Sequence, residues 1–127
     1  MKKGEHDLDI LVVDDDADIG LMIKSILSYY KYRVDAYLGA EQMLDALKQQ
    51  PKPPQLIIMD MLLSGTDGRD ICRKLKSSEL TKEIPVLMIS AHPNAKETCI
   101  EAGANEFLEK PFDIEILVNK SRQLMHA

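Results

Sequence analysis

Leu56-Ile57-Ile58-Met59-Asp60 is a run of four apolar residues closed by a carboxylate, preceded by Pro53-Pro54 and followed by a loop holding Ser64 and Gly65. A short, unbroken apolar run between breakers reads as a strand buried on both faces, the habit of a central strand in a parallel sheet. The pattern recurs on either side of it. Leu8–Val13 is a largely apolar run that ends in Asp14 and Asp15, and Ile84–Ile89 is one that ends in Ser90. Pro85 lies near the start of the latter, where a strand tolerates it.

Helical stripes separate these runs. Ile19, Met22, Ile23, Ile26 and Leu27 recur at helical spacing and predict a helix over residues about 17–30. Ala40, Met43, Leu44 and Leu47 predict a second, which stops before Pro51, Pro53 and Pro54. Ile71 and Leu75 mark a third with Asp67 as N-cap, and residues about 94–101 a fourth with Gly103 near its C-cap. Pro111 is expected to open a last helix that buries Ile114, Leu117 and Val118. Two further strands are expected at Tyr32–Tyr37, broken by Arg33 and Asp35, and at Glu106–Leu108, which carries Glu106; both read as edges. Five strands alternating with five helices predict an α/β chain, a flavodoxin-like (βα)5 three-layer sandwich around a five-stranded parallel sheet of order 2-1-3-4-5.

The totals agree with one domain: 127 residues, 45% hydrophobic and 29% charged, with a formal charge of -5. That charge argues against nonspecific nucleic-acid binding, which requires a basic surface. Cys72 and Cys99 form no CxxC pair and read as free thiols of a reducing, cytoplasmic compartment. No apolar run is long enough for a signal peptide or a membrane span. Residues 1–7 are expected to form a loose tail and residues 8–125 the domain, with no output domain after it.

In a sheet of this order, ligands bind beyond the carboxyl ends of the strands, at the switch point between the first and third. Asp14 and Asp15, Asp60, Ser90 and Lys110 all fall at such ends. Two unit charges about 4 Å apart repel by about 4 kcal/mol at an intermediate dielectric, so three carboxylates there call for a proton or a cation. A hard divalent ion fits, and Mg²⁺ commonly takes one or two carboxylates together with phosphate oxygens. A carboxylate nucleophile, a metal, an ammonium and a hydroxyl together suit phosphoryl transfer.

Val12-Val13-Asp14-Asp15, Asp60 followed by Asp67-Gly68, Ile89-Ser90-Ala91 and Lys110-Pro111-Phe112 together resemble the motif set of the response-regulator receiver domains of two-component signalling. The resemblance implies that Asp60 accepts a phosphoryl group from a phosphohistidine of a sensor histidine kinase or histidine phosphotransfer protein. It implies that Asp14, Asp15, Asp60 and the backbone carbonyl of Leu62 hold Mg²⁺ (or Mn²⁺). Lys110 then pairs with Asp60 and later with the phosphoryl group, across a cis Lys110–Pro111 bond. Ser90 and Phe107 form the switch, and Leu62 and His92 flank the phosphoryl group and modulate its lifetime. The output is a change in binding to a downstream protein, with no enzymatic turnover of other substrates, no direct contact with nucleic acid and no membrane.

Plainer roles stand beside these. Asp16 and Asp18 read as an N-cap and a first-turn charge, Phe107 also suits the core, and His92 also suits a solvated loop. Ile19 divides between core packing and docking of a kinase. Rival readings of the whole chain are a haloacid-dehalogenase-like phosphatase, a flavodoxin-like electron carrier and a degenerate receiver acting as a scaffold. Against the first, the Asp-x-Asp of Asp14-Asp15-Asp16 is followed by Asp18 in place of Thr or Val. Against the second, acidic residues stand where a flavin phosphate would sit. The family often has Met-Pro after the phosphoacceptor loop begins, where this chain has Leu63-Ser64, a difference that bears on loop stiffness. Bulky, apolar Leu62 is expected to hinder the water that hydrolyses the phosphoryl group. Leu62→Asn should therefore speed autodephosphorylation, followed as loss of adduct with time; an unchanged rate would contradict this role.

Overall fold

The computed structural model describes residues 7–126. Its main sheet is built from β1 (Ile10–Val13), β2 (Val34–Tyr37), β3 (Leu56–Asp60), β6 (Val86–Ser90) and β7 (Glu106–Glu109), in the order β2-β1-β3-β6-β7, all parallel. This is the predicted order 2-1-3-4-5, because the remaining strands, β4 (Leu62–Leu63) and β5 (Thr66–Asp67), form a separate two-stranded hairpin. The helices are α1 (Ala17–Tyr29), α2 (Ala40–Gln49), α3 (Gly68–Lys76), α4 (Lys96–Glu101) and α5 (Ile114–Met125).

Burial follows the strand composition. Every residue of β1, β3 and β6 is buried, whereas β2 and β7 each expose part of their length, as edge strands do. Alternate side chains of the sheet feed two cores. Ile10 and Val12 pack with Ile23 and Leu27 of α1 and Leu117 and Val118 of α5. Leu11 and Val13 join the other face with Met43 of α2, Leu75 of α3 and Cys99 of α4. The result is the three-layer sandwich, and among the described residues no helix is long and apolar enough to cross a membrane.

Several local expectations change. The last helix begins at Ile114, with Asp113 as an extended N-cap, and Pro111 lies in the loop before it. The strand hydrogen bonding runs on to Lys110, whose N–H donates to the Ser90 carbonyl at 2.8 Å, so the chain still follows the sheet where the helix was expected to begin. Ile114 is correspondingly 54% exposed, and the buried face of α5 is made by Leu117, Val118 and Ser121. Of the tail expected over residues 1–7, all but Asp7 lie outside the described residues; the Asp7 carboxylate is 3.6 Å from Lys52 Nζ. Gly103, at φ 108, follows the C-cap Ala102 of α4, where left-handed backbone favours glycine.

One charged side chain acts as a tie beneath the sheet. Lys76, at the end of α3, donates from Nζ to the Ile84 carbonyl at 2.8 Å and to Asn105 Oδ1 at 2.8 Å. Asn105 Oδ1 also accepts the Val86 N–H at 2.9 Å, so α3 and the entries of β6 and β7 meet at one point. Burial holds the Lys76 ammonium below its ordinary pKa. Lys76→Met keeps the stem and removes the donors, leaving those acceptors short of a partner. It is expected to destabilise the fold by about 1–2 kcal/mol in urea unfolding; an unchanged midpoint would show that solvent replaces the ammonium there.

Candidate functional site

The site follows from strand register. Val13 pairs with Met59 and Asp60 with Ile89, so Asp14, one residue past the end of β1, comes alongside Asp60, the last residue of β3. Ser90 pairs with Glu109, which brings Lys110 to the same end of the sheet. Carboxylate oxygens of Asp14, Asp15 and Asp60 lie within 4.8 Å of one another. Asp14 and Asp60 are buried and Asp15 is exposed. Lys110 Nζ reaches Asp60 Oδ1 at 2.9 Å and Asp14 Oδ2 at 3.2 Å.

Among the described residues, one ammonium therefore faces three carboxylates. Burial pushes the Asp60 carboxyl above its ordinary pKa; the hydrogen bond from Lys110 pulls it back, but the charges of Asp14 and Asp15 add to the rise. Burial draws the Lys110 ammonium down, yet its bond to Asp60 and the charge of Asp14 outweigh that and leave it raised. This cluster of oxygen donors with surplus negative charge fits a hard divalent cation.

Four hydrogen bonds hold the carboxylates and the backbone that carries them. The Asp14 N–H donates to the Tyr37 carbonyl at 3.1 Å, and Asp14 Oδ1 accepts the Asp16 N–H at 2.9 Å. Ser64 Oγ, in the turn of the hairpin, donates to Asp15 Oδ2 at 2.9 Å. The Met61 N–H donates to the Ile89 carbonyl at 2.8 Å, carrying the β3–β6 ladder one step past Asp60. Asp16 is the N-cap of α1, its Oδ1 accepting the N–H groups of Asp18 and Ile19, and Asp18 is the acidic residue of the first turn, as expected.

The other candidates are more spread out. Ser90 is buried, and its Oγ accepts the N–H of exposed His92 at 3.0 Å. Phe107 is buried in the core beneath α2, α3 and α4. Leu62, 52% exposed, pairs with Asp67 in the hairpin and lines a shallow depression with Asp15, Ser64 and Thr66. The Lys110–Pro111 bond is cis.

Sequence reasoning missed three residues. Ser64 falls in a loop by sequence, yet it fastens the hairpin to Asp15. Gly68 starts α3 against the Asp60 backbone: its N–H donates to the Met61 carbonyl at 2.6 Å, and a Cβ there would stand 2.5 Å from the Asp60 carbonyl oxygen. The pair Asp67-Gly68 was visible, but not why it needs glycine. The third is Arg69, whose fork on Asp67 (Nη2–Oδ2 2.6 Å) holds that carboxyl below its ordinary pKa.

A family model described as the response regulator receiver domain matches residues 10–122. Response regulator RppA of Synechocystis sp. is 37% identical over 117 residues, covering 91% of this chain and 49% of the relative. The DNA-binding dual master transcriptional regulator RpaA of the same organism is 33% identical over 122 residues, covering 91% and 48%. The chain thus spans about half the length of the curated relatives it matches. Among solved structures, the receiver domain of NtrX from Brucella abortus superposes with a TM-score of 0.84 at 34% identity, covering 94% of this chain and 99% of that one.

Two outcomes follow from the geometry. Gly68→Ala must push α3 off the Asp60 backbone, and is expected to cost about 1–3 kcal/mol in chemical unfolding; a neutral effect would mean that the contact relaxes freely. A carboxyl whose pKa is higher in the folded than in the unfolded chain stabilises the fold below the unfolded value, about 3.9, and loses that contribution as pH rises through the folded value. Asp60→Asn should therefore be more stable than wild type at pH 7 in divalent-free buffer, with the difference shrinking as pH falls toward about 4. Equal stability at pH 7 would contradict the charge account.

Proposed function

This chain belongs to the response regulator receiver domain family of two-component signalling, and we propose on that premise that it is a phosphorylation switch whose acceptor is Asp60. One observation carries the reading: Asp60 ends β3 with its Oδ1 on Lys110 Nζ at 2.9 Å, beside the carboxylates of Asp14 and Asp15. Family membership favours this over the phosphatase and flavin-carrier readings.

The donor in this reading is a phosphohistidine on a histidine kinase or phosphotransfer protein. An Asp60 carboxylate oxygen attacks phosphorus, the P–N bond breaks as the P–O bond forms, and the imidazole nitrogen leaves and takes up a proton. Asp14, Asp15 and Asp60, with the Leu62 carbonyl, would hold Mg²⁺ or Mn²⁺. When bound, that ion supplies positive charge to the transferring phosphoryl oxygens. Lys110 moves from Asp60 Oδ1 to a phosphoryl oxygen and neutralises part of its charge. Hydrolysis by water returns the Asp60 carboxylate and inorganic phosphate, at a rate that Leu62 and His92 modulate.

A phosphoryl group adds roughly 1.5–2 negative charges near neutral pH. The Ser90 hydroxyl, at the end of β6, is close enough in sequence and register to turn toward it. That turn weakens the bond from the His92 N–H and changes the packing above Phe107, so the face made by α4 and β7 shifts between two arrangements. The output is binding to a downstream protein, and the chain turns over no other substrate.

The test is incubation with a small phosphodonor and Mg²⁺, followed by intact mass. A single alkali-labile phosphoryl adduct is expected in wild type and none in Asp60→Ala. No adduct in wild type, or an undiminished one in the variant, would overturn the reading.

A further inference from the structure

The helix α4 is only six residues long, lacks a side-chain N-cap and buries only Cys99 among its residues. Beyond its packing against β7, two polar contacts hold it in position. One runs from β6: His92 donates its N–H to Ser90 Oγ at 3.0 Å, and the His92 carbonyl accepts the Ala95 N–H at 3.2 Å. The other comes from α3. Arg69 donates from Nη1 to Thr98 Oγ1 at 3.0 Å, and the Thr98 hydroxyl donates onward to the Ala95 carbonyl at 3.0 Å.

The second contact begins close to Asp60. Arg69 is forked on Asp67, with Nε at 2.9 Å from Oδ1 and Nη2 at 2.6 Å from Oδ2, and its own N–H donates to Asp67 Oδ1 at 2.9 Å. Asp67 caps α3, and Gly68 between the two lies against the Asp60 and Met61 carbonyls. A guanidinium locked on one carboxylate has little freedom left, so an Nη1 N–H reaches Thr98 at small entropic cost. The arginine is 29% exposed and the carboxylate 31%, so neither end is fully solvated.

We infer that Arg69 is a positioning residue: fixed on Asp67 beside the Asp60 backbone, it holds α4 through Thr98 in the arrangement seen here and opposes the displacement of α4 on phosphorylation. The second half rests on the reading of Asp60 as phosphoacceptor. The two contacts on α4 act in opposite senses. Turning Ser90 toward a phosphoryl group loosens the first, while the tie to Arg69 keeps the resting position populated. Breaking the tie then favours the displaced arrangement before any phosphoryl group arrives, and an anion that selects that arrangement binds more tightly.

The test uses the full chain with Arg69→Leu, Thr98→Val, the double variant and Thr98→Ser. Each of the first two is expected to raise hydrogen exchange at the Cys99 and Ala102 amides about fivefold, the worth of one net hydrogen bond, and to leave the Ile57 and Met61 amides in the sheet unchanged. The double variant should fall short of the sum of the singles, because both remove the shared Arg69–Thr98 contact. Thr98→Ser, which keeps the hydroxyl, should behave as wild type. The same two variants should bind beryllium fluoride with Mg²⁺ about fivefold more tightly, a gain that mere loss of structure would not give. Unmoved α4 exchange, additive effects, or a serine variant that fails to rescue would overturn the tie. Raised exchange with unmoved or weakened fluoride affinity would overturn its coupling to the switch. If wild type neither binds beryllium fluoride nor forms an adduct, the reading of Asp60 fails, while the exchange result still decides whether Arg69 positions α4.

Discussion

Among the described residues, Lys110 is the ammonium that stands against Asp14 and Asp60, 3.2 and 2.9 Å away, with Asp15 completing a group of three carboxylates within 4.8 Å. Like charges at such distances repel by several kcal/mol unless water, protons or cations intervene. The fold holds them there because each is at the end of a strand buried on both faces, where the apolar packing of β1, β3 and β6 sets the register. The hydrophobic core thus fixes a polar cluster that is electrostatically incomplete. A hard divalent cation bound among these oxygens would relieve that imbalance.

Most of the architecture was legible because the apolar patterns are strong. Unbroken runs such as Leu56–Met59 can only be central, while Arg33, Asp35 and Glu106 mark the edges, and the sheet order follows from those two facts. The boundaries were less so. The hairpin of Leu62–Leu63 and Thr66–Asp67 has two residues per strand, too few for alternation to register, and Gly65 at φ 72 was its only local mark. Ile114 misled because an apolar residue in the first turn of a helix need not face the core when the loop before it, Pro111 to Asp113, sets the direction of entry.

The candidate site was legible where chemistry sits at a strand end and hidden where it depends on distance in space. Asp14, Asp15, Asp60 and Lys110 announce themselves by position. Ser64 matters because it lies 2.9 Å from Asp15, which is 49 residues away in sequence. Arg69 matters because α3 passes Thr98, 29 residues on. No period or motif in the sequence carries either contact. Gly68 is intermediate: its pairing with Asp67 is visible, but the close approach to the Asp60 carbonyl exists only in the folded chain.

These three residues share a location, between the strand that ends in Asp60 and the elements around it. Ser64 ties the hairpin to the acidic pair, Gly68 lets α3 rest on the Asp60 backbone, and Arg69 extends that contact to α4. The most direct measurement of the central claim is chemical location of the phosphoryl group. Borohydride reduces an aspartyl phosphate to homoserine, so reduction of the phosphorylated chain followed by tandem mass spectrometry of its peptides reads the acceptor itself. Homoserine at position 60 alone is the predicted result, and homoserine at position 14 or 15, or at none of the three, would contradict it.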